Sequence, residues 1–417
     1  MLYTLHEMSH AALVPWQMWA SVNANMFSHP FSPLSYSPLS RKIAAGNELF
    51  VRITQRYHKP EFGIGETVVP RGFPLVIGGT AVAVSEEVAV DKPFCQLLHF
   101  KRDLGLRRER ADPKVLLVAP LSGHHATLLR DTVRTLLPDH DVYITDWVDA
   151  RMVSLFHGPF HLDDYVDYVR EFITFLGPGV HVISVCQPTV PVLAAIALMA
   201  DAGERVKPRT MIMMGGPIDA RRSPTAVNNL ATRKSHSWFK CNVIQRVPAK
   251  YPGFMRQVYP GFLQHLGFVA MNPARHADAH RDFYNHLVEG DGESADAHRR
   301  FYDEYNAVLD MPAEYYLDTI KTVFQEFSLP NGRMFVRGQL VRPQAISKTA
   351  LLSIEGELDD ISGNGQTEAA HGLCTGIPAK KREHYLAPGV GHYGIFSGRR
   401  FRETLYPRIR DFIRRHA

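Results

Sequence analysis

Val182-Ile183-Ser184-Val185-Cys186-Gln187-Pro188-Thr189-Val190-Pro191 is the stretch that decides the fold of this chain. An apolar, largely β-branched run ends at a lone cysteine, and the alanine-rich segment Leu193 to Ala200 follows at once. The pattern reads as buried strand, sharp turn and helix, with Cys186 on the turn. A thiol held there points out above a sheet and sits at a helix N-terminus. The positive end of the helix dipole favours thiolate, which is the nucleophilic form. The arrangement matches the nucleophile elbow G-x-S-x-G, with cysteine for serine and with Ser184 and Pro188 for the two glycines. Ser184 is nearly as small as glycine. Pro188 falls in the first helical turn, where a missing N–H costs nothing. The competing reading is a structural cysteine buried at a strand end.

Working outward, Lys114 to Ala119 is a buried-strand run closed by Pro120, and a helix fits Ala126 to Leu137. Strand Asp141 to Thr145 follows, then a helix with apolar spacing from Asp163 to Leu176, stopped by Gly177-Pro178-Gly179. After the cysteine strand and its helix comes strand Thr210 to Met214, ending at Gly215-Gly216-Pro217. Strands and helices alternating at this length imply a parallel sheet covered on both faces. The rhythm breaks from 218 to 344, a stretch rich in Phe, Tyr and His that reads as helices and loops without strand runs. Such an insertion is a lid or cap over a site, or a helical subdomain with its own core. Strand Thr349 to Ile354 resumes the pattern and a final helix fits Arg402 to Arg414. Upstream, a helix fits Ala44 to Tyr57, and Pro30 to Ser40 reads as loop. The expected organisation is an N-terminal extension packed on the core (1–112), the core in two parts (113–217 and 345–417) and an aromatic-rich helical cap (218–344).

A chain of 417 residues, 45% hydrophobic, suits a large α/β core with an insertion. The net charge of +5 is mild, and its basic clusters, Lys101 to Arg110 and Arg399 to Arg415, read as solvated faces. No nucleic-acid-binding motif accompanies them, so no nucleic-acid partner is expected. The four cysteines, Cys95, Cys186, Cys241 and Cys374, form no C-x-x-C pair, which fits a reducing cytoplasm. The N-terminus lacks a basic n-region, Pro15 breaks its apolar stretch, and no apolar run reaches transmembrane length. A soluble intracellular protein with no integral membrane segment is expected.

Thiol catalysis needs a base to take the proton and an acid residue to orient that base. On this architecture they follow the nucleophile in the order acid, then histidine, each on a loop after a strand. The resumed strand ends Glu355-Gly356-Glu357-Leu358-Asp359-Asp360, and spacing favours Asp359, with Asp360 or Glu357 as alternatives. A short strand, Lys381 to Leu386, leads into Ala387-Pro388-Gly389-Val390-Gly391-His392-Tyr393-Gly394. His392, held among glycines, is the candidate base. The oxyanion hole would combine the Gln187 N–H with one from Pro120-Leu121-Ser122-Gly123, Leu121 first and Ser122 next. His124 and His125 invite a metal reading, but sequence neighbours rarely point the same way. His6-Glu7-Met8-Ser9-His10 matches the zinc motif H-E-x-x-H. It lacks a preceding scaffold and the further Gly and third His, and Pro15 is expected to interrupt its helix. No metal is expected.

Together these residues resemble the intracellular poly(3-hydroxybutyrate) depolymerases, bacterial enzymes that mobilise stored polyester granules and belong to the cysteine-nucleophile α/β-hydrolases. The resemblance spans nearly the whole chain. It is carried by Tyr3-x-x-His6-Glu7-Met8, Pro120 to His124, Asp146-Trp147, the elbow Ser184 to Pro188, Glu355 to Asp360 and Gly391 to Gly394. It implies an α/β-hydrolase fold, a mostly parallel sheet with helices on both faces, plus an inserted, mainly helical cap. It further implies Cys186 as nucleophile, His392 as base, Asp359 as its orienter and no cofactor. The implied substrate is amorphous polymer at a cytoplasmic granule surface, released as 3-hydroxybutyrate oligomers and monomer, with thiolysis by coenzyme A left open. An oily polyester strand needs an apolar groove, for which Trp238, Phe239, Tyr251, Phe254, Tyr259 and Phe262 are candidates. The rival readings are a polyhydroxyalkanoate synthase-like acyltransferase and a non-catalytic granule-associated protein. A homo-oligomer is compatible with the sequence.

Overall fold

The elbow lies at the centre of a twisted sheet whose strands follow the sequence runs closely. The computed structural model describes residues 2–37, 39–70, 79–105 and 112–417. Part of the expected basic run Lys101 to Arg110 lies outside these residues. Two helices open the chain, α1 (Leu2–Ser28) and α2 (Ser40–Thr54), and pack against each other. Strands β1 (Glu66–Pro70), β2 (Gly79–Lys92) and β3 (Cys95–Arg102) then form an antiparallel ribbon. Next come β4 (Lys114–Val118), α3 (Arg130–Leu136), β5 (Asp141–Trp147) and α4 (Leu162–Leu176). They are followed by β6 (His181–Val185), α5 (Thr189–Asp201) and β7 (Thr210–Met214).

The insertion holds α6 (Ala226–Arg233), α7 (His236–Asn242), β8 (Gln245–Arg246), β9 (Gln257–Tyr259), α8 (Gly261–Met271), α9 (Pro273–Glu289) and α10 (Gly292–Tyr305). It closes with β10 (Met311–Pro312), α11 (Ala313–Thr319) and the hairpin β11 (Phe335–Val336) and β12 (Gln339–Leu340). Strands β13 (Ala350–Gly356) and β14 (Arg382–Ala387) return to the main sheet, and the helix Tyr406–His416 ends the chain.

The main sheet has the order β1-β2-β3-β5-β4-β6-β7-β13-β14. From β5 to β14 every pairing is parallel, and β3 joins antiparallel through Cys95 to Phe100 opposite Trp147 to Val142. With the edge hairpin strand β1 set aside, this is the strand order of an α/β-hydrolase. Its central strands β4, β6, β7 and β13 are buried on both faces, which is why they read as continuous apolar runs. Alternate side chains serve two cores. Leu116, Val118, Val182 and Met211 pack toward α4 and α5, while Val115, Leu117, Ile183 and Ile212 pack toward α3 and the C-terminal helix.

Three features differ from the sequence reading. Strands β2 and β3 lie before the expected boundary at residue 113 and hydrogen-bond into the main sheet. The insertion, expected to have no strands, contains a small sheet of order β10-β9-β8. Its strands are two or three residues long, too short to show a period. Pro15, expected to interrupt its helix, lies inside an unbroken α1. Its ring is on an exposed part of the helix, so the carbonyl it leaves without a donor faces water.

Candidate active site

The candidate residues converge at the C-terminal ends of β4, β6, β13 and β14, the edge where open α/β sheets place their ligands. Cys186 directly follows β6 and has φ of 67°, the left-handed conformation that an elbow demands and that costs a non-glycine residue about 1–2 kcal/mol. Two backbone bonds hold the turn. The Cys186 N–H donates to the Met214 carbonyl at 2.7 Å, and the Thr189 N–H donates to the Cys186 carbonyl at 3.1 Å. Pro188 is the N-cap of α5, so its missing N–H leaves no helical bond unmade. The neighbouring strand end supplies the room. A Cβ on Gly216 would lie 1.9 Å from Thr189 Oγ1 and 2.5 Å from the Cys186 carbonyl oxygen. The small residue that the elbow needs is therefore Gly216, one strand away, as well as Ser184.

His392 is buried on the loop after β14, and its Nδ1 lies 2.7 Å from Asp359 Oδ2. Asp359 Oδ1 accepts the backbone N–H groups of Ile361 at 2.9 Å and Ser362 at 2.8 Å, which orient the carboxylate. The alternatives are engaged elsewhere or turned away. Glu357 accepts the Gly389 N–H at 2.7 Å, and Asp360 is exposed. His392 and Cys186 line the same cavity, and the electrostatics of the two groups are linked. Burial by itself would lower the histidine's pKa. The charge on the Cys186 sulfur and the bonds to Asp359 and Cys186 outweigh it and raise the value to about 10. These surroundings favour the imidazolium form of His392.

Neither the Gln187 nor the Leu121 amide N–H donates to a group among the described residues, and both residues line the cavity above Cys186. The segment before Leu121 is firmly held. Ala119 donates its N–H to Thr145 Oγ1 at 2.9 Å, and its carbonyl accepts Trp147 Nε1 at 2.8 Å and the Tyr165 hydroxyl at 3.2 Å.

The cavity has a volume of about 600 Å³ and is walled mainly by apolar side chains from α6, α8, α11 and the loop around Tyr393. Of the aromatic candidates, Phe239 and Tyr259 line it. The other four do not. Trp238 packs edge-on against Phe239 from outside, with centroids 5.2 Å apart. The Tyr251 hydroxyl meets Arg56 and Glu7, Phe254 is half exposed, and Phe262 stacks on His6 at 4.0 Å. The sequence reading missed Phe268, Met271, Tyr315, Tyr316 and Phe396 in the wall. The Gln187 amide and the Tyr315 and Thr319 hydroxyls face one another there, none in a well-formed hydrogen bond within the chain.

Three further residues brace the site. A Cβ on Gly215 would lie 2.4 Å from Ile395 Cδ1, 3.3 Å from Asp359 Oδ2 and 3.4 Å from His392 Cε1. Glu355 accepts the N–H groups of Gly365, Thr367 and Glu368, which folds the loop after Asp359. The Thr367 hydroxyl accepts the Gly216 N–H at 2.8 Å and donates to its carbonyl at 3.0 Å. The repeated Gly-Gly at 215–216 was the one local signal for this bracing.

The zinc-like motif has a different role. Glu7 forms ion pairs with Arg56 and Lys250. Burial pushes its pKa up, but these two cations outweigh that and bring it to about 2. His124 Nε2 lies 3.2 Å from the Tyr305 carbonyl oxygen, and burial lowers the histidine's pKa to about 4. Among the described residues no cluster of His, Cys, Asp and Glu is arranged to hold a metal.

Strand order and the placement of these loops define the chain as an α/β-hydrolase. Residues 215–417 match the family model described as PHB de-polymerase C-terminus. Over these residues the chain matches the poly(3-hydroxybutyrate) depolymerase family, which supports a carboxylic ester hydrolase. The matched segment contains Asp359 and His392 but not Cys186. Similar solved structures include a putative lipase from Acinetobacter baumannii AYE, at 12% identity and TM-score 0.42 over 80% of this chain and 93% of that one. Another is a monoacylglycerol lipase from Paleococcus ferrophilus, at 12% identity and TM-score 0.43 over 73% and 96%. A third is a thermophilic esterase from Thermogutta terrifontis, at 12% identity and TM-score 0.41 over 84% and 99%. Comparison with curated protein sequences returned no match. No helix among the described residues is long and apolar enough to cross a membrane.

Proposed function

We propose that the protein cleaves the ester bonds of poly(3-hydroxybutyrate) with Cys186 as nucleophile, His392 as acid and base, and Asp359 as the group that orients His392. The observation that carries this reading is His392 bonded to Asp359 and lining the same apolar cavity as the elbow cysteine. In the reaction, the Cys186 thiolate adds to the ester carbonyl carbon. The oxyanion that forms accepts the N–H groups of Gln187 and Leu121. As the tetrahedral adduct collapses, the C–O bond breaks and His392 Nε2 gives its proton to the leaving alkoxide, which departs as a hydroxyl end. The acyl chain is now a thioester on Cys186. Neutral His392 takes a proton from water as the water oxygen attacks this thioester. Collapse releases the carboxylic acid and restores the thiolate beside imidazolium. The apolar walls would hold the methyl-bearing polyester backbone.

The test compares wild type with Cys186→Ala on amorphous poly(3-hydroxybutyrate) granules, following released 3-hydroxybutyrate. Release by wild type alone supports substrate and nucleophile together. No release by either variant rejects the depolymerase reading, and equal release by both moves the chemistry away from Cys186.

A further inference from the structure

The first helix carries two apolar faces. One packs inward through Tyr3 and Ala20. The other, formed by Leu5, Met8, Trp16, Trp19, Val22 and Met26, is open to solvent, each of these side chains being 44% exposed or more. With Ala12 between Met8 and Trp16, the spacing is three or four residues throughout, which places the set on one side of the helix. The stripe is about 30 Å long at the α-helical rise. Phe31, 92% exposed, and Tyr36 extend it in the segment that follows. Two of the chain's four tryptophans are spent on this surface. An apolar patch of this extent marks an interaction site rather than ordinary surface.

We propose that this stripe is the surface by which the protein docks on its solid polyester, a proposal that rests on the depolymerase reading above. Charge selects the occupant. Glu7 is the one charged residue between Leu2 and Ser28, and it is taken up internally by Arg56 and Lys250. An anionic lipid surface calls for Lys and Arg on the docking helix. A second helix in a coiled coil calls for flanking charges that set its register. The stripe offers neither and matches an uncharged ester surface, with indole rings suited to a boundary between oil and water. Position agrees. His6 stacks on Phe262 of α8 at 4.0 Å, and α8 runs on through exposed Leu266 to Met271, which is both exposed and part of the cavity wall. The apolar surface thus leads from α1 across α8 to the rim of the substrate cavity.

The test uses the full chain with Trp16→Gln/Trp19→Gln, and with Met8→Gln/Val22→Gln as a second pair. Partition onto amorphous poly(3-hydroxybutyrate) granules is measured by centrifugation in a Cys186→Ala background, and hydrolysis of soluble p-nitrophenyl butyrate in the active background. Each pair is expected to weaken granule binding about tenfold or more while soluble-ester turnover stays at the wild-type level. Unchanged partition for both pairs overturns the proposal. So does a wild-type dimer in sedimentation that either pair converts to monomer, because a second copy then covers the stripe. Granule binding by wild type without release of 3-hydroxybutyrate rejects the depolymerase reading and leaves the docking result intact.

Discussion

Gly215 is where a single methyl group tests the geometry of the site. The residue has φ of 56°, and an added Cβ would lie 2.4 Å from Ile395 Cδ1 and 3.3–3.4 Å from Asp359 Oδ2 and His392 Cε1. Alanine in the left-handed region costs about 1–2 kcal/mol, and overpacking a filled site costs about 1–3 kcal/mol. Gly215→Ala is therefore expected to lose about 2–5 kcal/mol of stability, read from urea midpoints. Relief of the contact pushes the His392 loop away from Cys186. A displacement near 1 Å in such a site lowers turnover about 100-fold, read as kcat on p-nitrophenyl butyrate. Ile395→Val removes the Cδ1 atom and costs about 0.5–1.5 kcal/mol alone. Gly215→Ala/Ile395→Val should then be less destabilised than the two single effects added, because the 2.4 Å contact is gone while the backbone strain remains. A Gly215→Ala protein with wild-type midpoint and kcat would refute the reasoning.

Other consequences are equally direct. Asp359→Asn leaves Nδ1 of His392 without its carboxylate and should lower kcat by about 10³–10⁴-fold, with slower alkylation of Cys186 by iodoacetamide at neutral pH. Wild-type alkylation kinetics in Asp359→Asn would argue against the orienting role. His392 has its pKa raised from 6.5 to about 10, so its own contribution to stability is full below pH 6.5 and is lost as pH rises toward about 10. Urea midpoints measured between pH 6 and 10 should therefore fall more for wild type than for His392→Gln, and equal slopes would contradict the ion pair. Tyr3 donates to buried Asp310 Oδ2 at 2.6 Å, and Asp310 Oδ1 accepts the Gly261 N–H at 2.8 Å at the start of α8. Tyr3→Phe strips one partner from that carboxylate and should cost about 1–3 kcal/mol by urea denaturation.

Legibility followed the range of the forces involved. Cys186, Asp359 and His392 each lie a few residues beyond a strand, in short turns marked by Gly or Pro, so local pattern was enough to propose them. The alternation of β4 to β7 was legible for the same reason, since buried parallel strands read as apolar runs. What depended on distant partners was not. That Gly215 and Gly216 must lack side chains follows from β7 lying beside β6 and from the Thr367 and His392 loops folding over both. Tyr251 was drawn away from the cavity by the Glu7 and Arg56 cluster, which joins residues more than 190 positions apart. Strands β2 and β3 were missed because their exposed alternate residues mix charge with small side chains. The pairing of β3 with β5 decides their place in the sheet.

The measurement that bears most directly on the account is detection of the acyl-enzyme. Wild-type protein would be mixed with 3-hydroxybutyrate oligomer, quenched in acid within milliseconds to seconds, digested and examined by mass spectrometry. The account predicts a hydroxyacyl thioester on the peptide containing Cys186, cleared by hydroxylamine and formed and lost at rates compatible with turnover. Steady turnover with no acyl group on Cys186 at any quench time, or with the acyl group on another residue, would contradict it.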